Sequence, residues 1–122
     1  MGTTSNTATT DLTPKLYVDL AAASTAQTNI TGVASSVVYY GEVDNRMNPN
    51  KGLYFKLFNH ASPSGSTNPE FVFYVSPSSI GRFVFPEGVT FATAVSFLVS
   101  TQYQNGQGVS PVNRATVKLA VG

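Results

Sequence analysis

Cysteine and tryptophan are absent from this 122-residue chain, and histidine occurs once, at His60. Without cysteine there are no disulfides and no thiolate metal sites, and the redox compartment is left open. With neither cysteine nor a second histidine, His60 has no partners for a zinc site. Charge is scarce as well: 11% of the residues are Asp, Glu, Lys or Arg, against roughly a quarter in an ordinary soluble domain. The net charge is +1, and Lys15, Arg46, Lys51, Lys56, Arg82, Arg114 and Lys118 are scattered, no two adjacent. That pattern leaves no basic stripe for nucleic acid. No apolar run approaches the ~18 residues of a transmembrane helix. The opening MGTTSNTATTDLT has no basic start and no apolar segment, so it is not read as a secretory signal peptide. The expectation is a protein made in a cytoplasm, without a membrane or nucleic acid among its partners.

In place of charge the chain has hydroxyls, amides and aromatics. Hydrophobic residues make up 42% and aromatics 11%, enough for one core at this length. Residues 1–14, mostly Thr, Ser, Asn and Ala and closed by Pro14, read as an N-terminal arm that is flexible or ordered by a partner, with Leu12 as its apolar anchor. Residues 15–122 then form a single domain. From Lys15 the period becomes two: Leu16, Val18 and Leu20 share one face, which is expected to be buried, and Lys15, Tyr17 and Asp19 the other. Residues 21–35 read mostly as loop, with a short extended piece near Ile30.

Ser36–Asp44 is β-branched and aromatic enough for a strand, and the Asn, Pro and Gly of residues 45–52 mark a turn. Leu53, Phe55 and Leu57 alternate with Tyr54, Lys56 and Phe58. Further strands are expected at 70–75 and 80–85, a break at Pro86-Glu87-Gly88, a long strand over 89–103 and a closing strand over 114–121. Turn-punctuated strands without a helix predict an antiparallel β-sandwich or jelly-roll-like barrel of seven to eight strands. The expected core is Leu16, Val18, Leu53, Phe55, Leu57, Phe71, Phe73, Phe85, Phe91, Phe97, Val117 and Leu119.

Catalytic chemistry finds little to work with. Glu42 and Asp44 share a strand face about 7 Å apart, a spacing open to a divalent cation or a glycosidic bond but equally that of solvated charge at a strand end. Serines are abundant, yet none sits in a Gly-x-Ser-x-Gly elbow. The glycines of Asn105-Gly106-Gln107-Gly108 lack the lysine and helix of a phosphate cradle. No catalytic residue, cofactor or metal site is expected. Aromatics are more informative. Tyr54 and Phe58 oppose Phe55, and Tyr74 opposes Phe71 and Phe73, so both faces of these strands are apolar. Such a sheet is usually covered on both sides, here either by a partner or by leaving single tyrosines wet.

The run Gly52-Leu53-Tyr54-Phe55-Lys56-Leu57-Phe58-Asn59, the Ser/Thr/Pro loop ending Asn68-Pro69-Glu70, and the block from Phe83 through Phe85-Pro86-Glu87-Gly88 to Phe97 resemble small structural proteins of tailed bacteriophages, including capsid decoration or cement proteins. The resemblance covers roughly residues 15–121. It implies a non-enzymatic virion protein, made in the host cytoplasm, that binds and stabilises the major capsid protein shell, as a homo-oligomer with a trimer favoured. The alternatives are a tail, baseplate or fibre-associated structural protein, or a carbohydrate-binding β-sandwich module with Tyr54 or Tyr74 as sugar platforms beside Glu42 and Asp44. Candidate partner-contact residues are Thr3, Thr4, Leu12 and Pro14 in the arm and Tyr54, Phe58 and Tyr74 on the strands.

Overall fold

The computed structural model describes residues 3–6, 15–103 and 110–122. It is all-β: β1 (Thr3–Asn6), β2 (Lys15–Ala22), β3 (Ser36–Asp44), β4 (Leu53–Phe58), β5 (Phe71–Val75), β6 (Ile80–Phe91), β7 (Ser96–Ser100) and β8 (Ala115–Val121). They form two antiparallel sheets, a five-stranded one in the order β1-β2-β8-β3-β6 and a three-stranded one in the order β5-β4-β7. A core of residues from both sheets lies between them. This is the expected sandwich. β4, β5 and β7 make one layer; the chain crosses between layers after β3, β5, β6 and β7.

Strand alternation decides which side chains meet in the core. Leu53, Phe55 and Leu57 of β4 and Phe97 and Val99 of β7 are fully buried against Val117, Leu119 and Val121 of β8 and Val38 and Val43 of β3. Phe71, Phe73 and Phe85 are half-buried at the margin of that core. Gly41 is required where it stands: a Cβ there would collide with the Phe83 ring across the β3–β6 pair.

Two sequence expectations are corrected. The buried face of β2 is the opposite one: Tyr17 and Asp19 are buried, Leu16 and Val18 only half so, and Leu20 is 74% exposed. Alternation gives a strand's period but not which face turns inward, and the register shift between Asp19 and Ala22 then brings Ala22 to the core. The second correction concerns Pro86-Glu87-Gly88, which lies inside β6 instead of ending it. Between the pairs Val38↔Val89 and Tyr40↔Val84, β6 advances five residues while β3 advances two. The excess forms a bulge, for which Gly88 adopts φ +77°. Because β6 is an edge strand, Pro86 withholds no ladder hydrogen bond from a further neighbour. The expected strand over 89–103 breaks at residues 92–95, where the chain leaves the large sheet for β7 in the small one.

Candidate functional site

Glu42 and Asp44 alternate with buried Val43 and therefore stand on the outer face of the large sheet. Each is engaged by an arginine. Glu42 Oε1 accepts from Arg82 Nε at 3.2 Å and from the Tyr40 hydroxyl at 2.9 Å. Asp44 takes a bidentate contact from Arg46, at 3.0 Å from Nε and 2.8 Å from Nη2. The Arg46 guanidinium holds the Asp44 carboxyl below its ordinary range. Two separately paired carboxylates offer neither a cation nor a glycosidic bond an open acid pair. Among the described residues no cluster of three or more His, Cys, Asp or Glu side chains exists to hold a metal. His60 is exposed in its loop and accepts the Ser62 N–H at Nδ1, 2.9 Å away.

Three tyrosines gather on the other side of the molecule. Tyr54 pairs with Tyr74 in the β4–β5 register, and their ring centroids are 5.2 Å apart. Tyr103, beyond β7, approaches Tyr54 edge-on at 5.5 Å. Tyr74 is 57% exposed and Tyr103 64%, while Tyr54 between them is half-buried. Tyr74 fits because Gly52 has no side chain; a Cβ there would meet its ring. The three rings are tilted at 53° and 69° to one another, so they make a ridged aromatic surface and not a flat platform. This surface crowns the outer face of the small sheet, with the core between it and the outer face that carries Glu42 and Asp44. The sugar site that would combine them is not assembled.

Phe58, also expected at a contact surface, is fully buried, which corrects that expectation. The chain closes over this end of β4: Asn59 Oδ1 accepts the N–H groups of Thr93 and Ala94 at 2.9 and 3.3 Å, and Ser96 Oγ donates to the His60 carbonyl at 2.6 Å. Lys56 is fully buried on the same face of β4, and burial pushes its ammonium pKa down. Thr3 and Thr4 lie in β1, opposite Asp19 and Val18 of β2 in the same chain. Leu12 and Pro14 lie outside the described residues.

Two features escaped the sequence reading. Asp19 is buried in the large sheet; its Oδ1 accepts the Ala21 N–H at 3.0 Å, and its Oδ2 has no hydrogen-bond partner among the described residues. Burial raises its pKa. The other is a set of asparagines, Asn45, Asn48 and Asn113, that link the loops at one end of the sandwich. Nothing in composition separates a buried, fully bonded asparagine from an exposed turn residue. Of the clefts elsewhere, one beside Lys15, Tyr17 and Val33 holds about 190 Å³, one beside Val43, Phe73 and Phe83 about 100 Å³ and one beside Asn48, Lys51 and Val112 about 250 Å³, below the ~300 Å³ at which ligand pockets begin. One beside Phe85, Glu87 and Val89 reaches about 360 Å³ but lies wide open along the edge strand β6.

No helix among the described residues is long and apolar enough to cross a membrane. Comparison with protein-family models, with curated proteins and with solved structures finds no match.

Proposed function

We propose that the chain is a non-enzymatic structural protein of a virion, of the capsid decoration kind, which binds the shell of major capsid protein and works as a homo-oligomer, a trimer being favoured. The observation that carries this reading is the aromatic surface of Tyr54, Tyr74 and Tyr103, left open on a domain whose Glu42 and Asp44 are each paired with an arginine on the opposite face. Tyrosine supplies large, stiff contact area with a polar tip and is enriched where proteins meet. Leu20 and Val84, 74% and 60% exposed on the outer face of the large sheet, add apolar area that a single copy does not cover. A low charge density suits a protein whose surfaces are destined for contact with neighbours.

Co-sedimentation tests the reading. Purified chain is mixed with shells assembled from the major capsid protein of the same genome. Saturable binding that raises the temperature of shell disruption is the expected result, with light scattering giving the mass of a trimer for the free protein. Absence of binding, with tyrosine-dependent capture on a glycan array instead, would replace this function with a carbohydrate-binding one.

A further inference from the structure

At the end of the sandwich where β3 gives way to β4 and where the chain enters β8, three asparagines fix two loops that are far apart in sequence. Asn45 and Asn48 are 0% and 4% exposed. Asn48 Nδ2 donates to Asn45 Oδ1 at 3.0 Å and to the Asn113 carbonyl at 2.8 Å, while its Oδ1 accepts the Asn113 N–H at 2.9 Å. Asn45 Nδ2 donates to the carbonyls of Lys51 and Ser76 at 2.9 and 3.2 Å. Asn113 Nδ2 donates to the Met47 carbonyl at 2.7 Å. A third loop is tied in through the backbone, Ser78 N–H to Asn48 O at 3.2 Å and Asn45 N–H to Ser79 O at 2.8 Å.

What these bonds hold in place is apolar. Met47 is 66% exposed and Val112 is 93% exposed; Val112 precedes Asn113, whose side chain bonds the Met47 carbonyl. Surface loops are ordinarily the least stable part of a fold, and ordering them at the moment of contact weakens binding. Here the ordering is built in before any partner arrives, and side chains whose exposure costs free energy are what it presents. The charge around them is net positive. Lys51 and Arg114 are exposed at this end, and the Arg46 guanidinium, also exposed, is offset by Asp44, the carboxylate that closes β3.

We infer that this tip is the contact through which the chain seats on its partner protein, Met47 and Val112 entering an apolar pocket with an acidic rim. The inference rests on the proposed function, which makes that partner a shell protein. Its physical basis is separate: a rigid apolar knob with a basic collar complements an apolar hollow with a negative border, the arrangement in which a few central side chains dominate affinity and rim charges steer approach.

The test uses the full chain and shells of major capsid protein. Met47→Asp with Val112→Asp removes the knob, Lys51→Glu reverses the collar without touching an apolar group, and Ala61→Asp, exposed in the loop at the far end of β4, is a distant control. All four positions are exposed, so melting temperatures should stay near that of the parent chain. The expected result is a loss of shell affinity of at least about tenfold for the double variant. Lys51→Glu should show a smaller loss that fades in high salt, and Ala61→Asp no change. Binding by the parent chain that ignores the double variant overturns the tip assignment and leaves the proposed function standing. A double variant that binds shells normally but changes oligomeric mass overturns it in favour of contact between copies. A parent chain that does not bind shells removes the proposed function and the tip's partner with it.

Discussion

The two long sides of this sandwich are closed in different ways. Along β7 the closure is by hydrogen bonds. The segment leaving β2 runs beside that strand: Val99 N–H bonds Ala23 O at 3.0 Å, Gln27 and Phe97 exchange bonds at 2.8 and 3.0 Å, and Ile30 N–H bonds Val95 O at 2.9 Å. Every residue of β7 is buried as a result. Along β5 and β6, edge strands of different sheets, closure is by contacts between aromatic rings, one pair stacked and one tilted. Phe73 lies on Phe83 at 4.2 Å and 2°, Phe71 on Phe85 at 5.1 Å, and all four remain half-buried. A hydrogen-bonded side excludes water and fixes register. An aromatic side holds the layers together by contact area and leaves both strand edges open, so it is the side where packing defects should be tolerated best.

Truncation sharpens that contrast most strongly. Phe55→Ala, at a fully buried ring between Phe83 and Phe97, should cost on the order of 3–5 kcal/mol, most of a typical domain's stability. Phe85→Ala on the open side should cost about 1–2 kcal/mol, because its ring is only partly buried. Urea titration of both variants measures the difference, and equal losses would erase the distinction between the sides. Next in size comes Gly41→Ala. Its new methyl collides with the Phe83 ring, an overpacking expected to cost about 1–3 kcal/mol. Adding Phe83→Leu should recover part of it, since the collision then has room to relax. Failure of the double variant to recover would mean that Gly41 is needed for its backbone and not for the space it leaves.

How far such contrasts can be read from sequence differs from strand to strand. β4 was legible because Leu53, Phe55 and Leu57 alternate with a lysine, and the closing strand because Val117, Leu119 and Val121 alternate with Lys118. β2 misled because its apparent polar face, Tyr17 and Asp19, is the buried one, a choice set by its place between β1 and β8 and not by the strand itself. Pro86-Glu87-Gly88 has the chemistry of a turn, and only its position on a sheet edge makes it a bulge. Of the candidate site, Tyr54 and Tyr74 were found from their alternation with core phenylalanines. Tyr103 joins them only through a crossover, and the asparagine-bonded tip depends on pairing residues 45–48 with residue 113, which local pattern does not carry.

Asp19 supplies a pH test on the hydrogen-bonded side. Burial holds its folded pKa above the ordinary value of 3.8. The unfolded chain therefore releases this proton first as pH rises, and stability falls from about pH 3.8 up through the raised folded value, remaining lower beyond it. Asp19→Asn does not titrate, so it should be more stable than the parent at neutral pH and lose that advantage on acidification. Urea midpoints across the acid range check this; a difference that does not change with pH would show that shape at this position matters and charge does not. The smallest effect expected is for Tyr74→Ala, whose ring is largely exposed. Stability should change by less than about 0.5 kcal/mol, leaving any loss of shell binding attributable to the aromatic surface itself.

On the function proposed above, this domain works by surface contact on a protein shell and not by chemistry in a pocket. Electron cryo-microscopy of shells incubated with the chain puts that to the test. Ordered density is expected at fixed lattice positions, with the sandwich end carrying Met47 and Val112 against the shell. Bare shells, under conditions where the chain is folded and in excess, would contradict it.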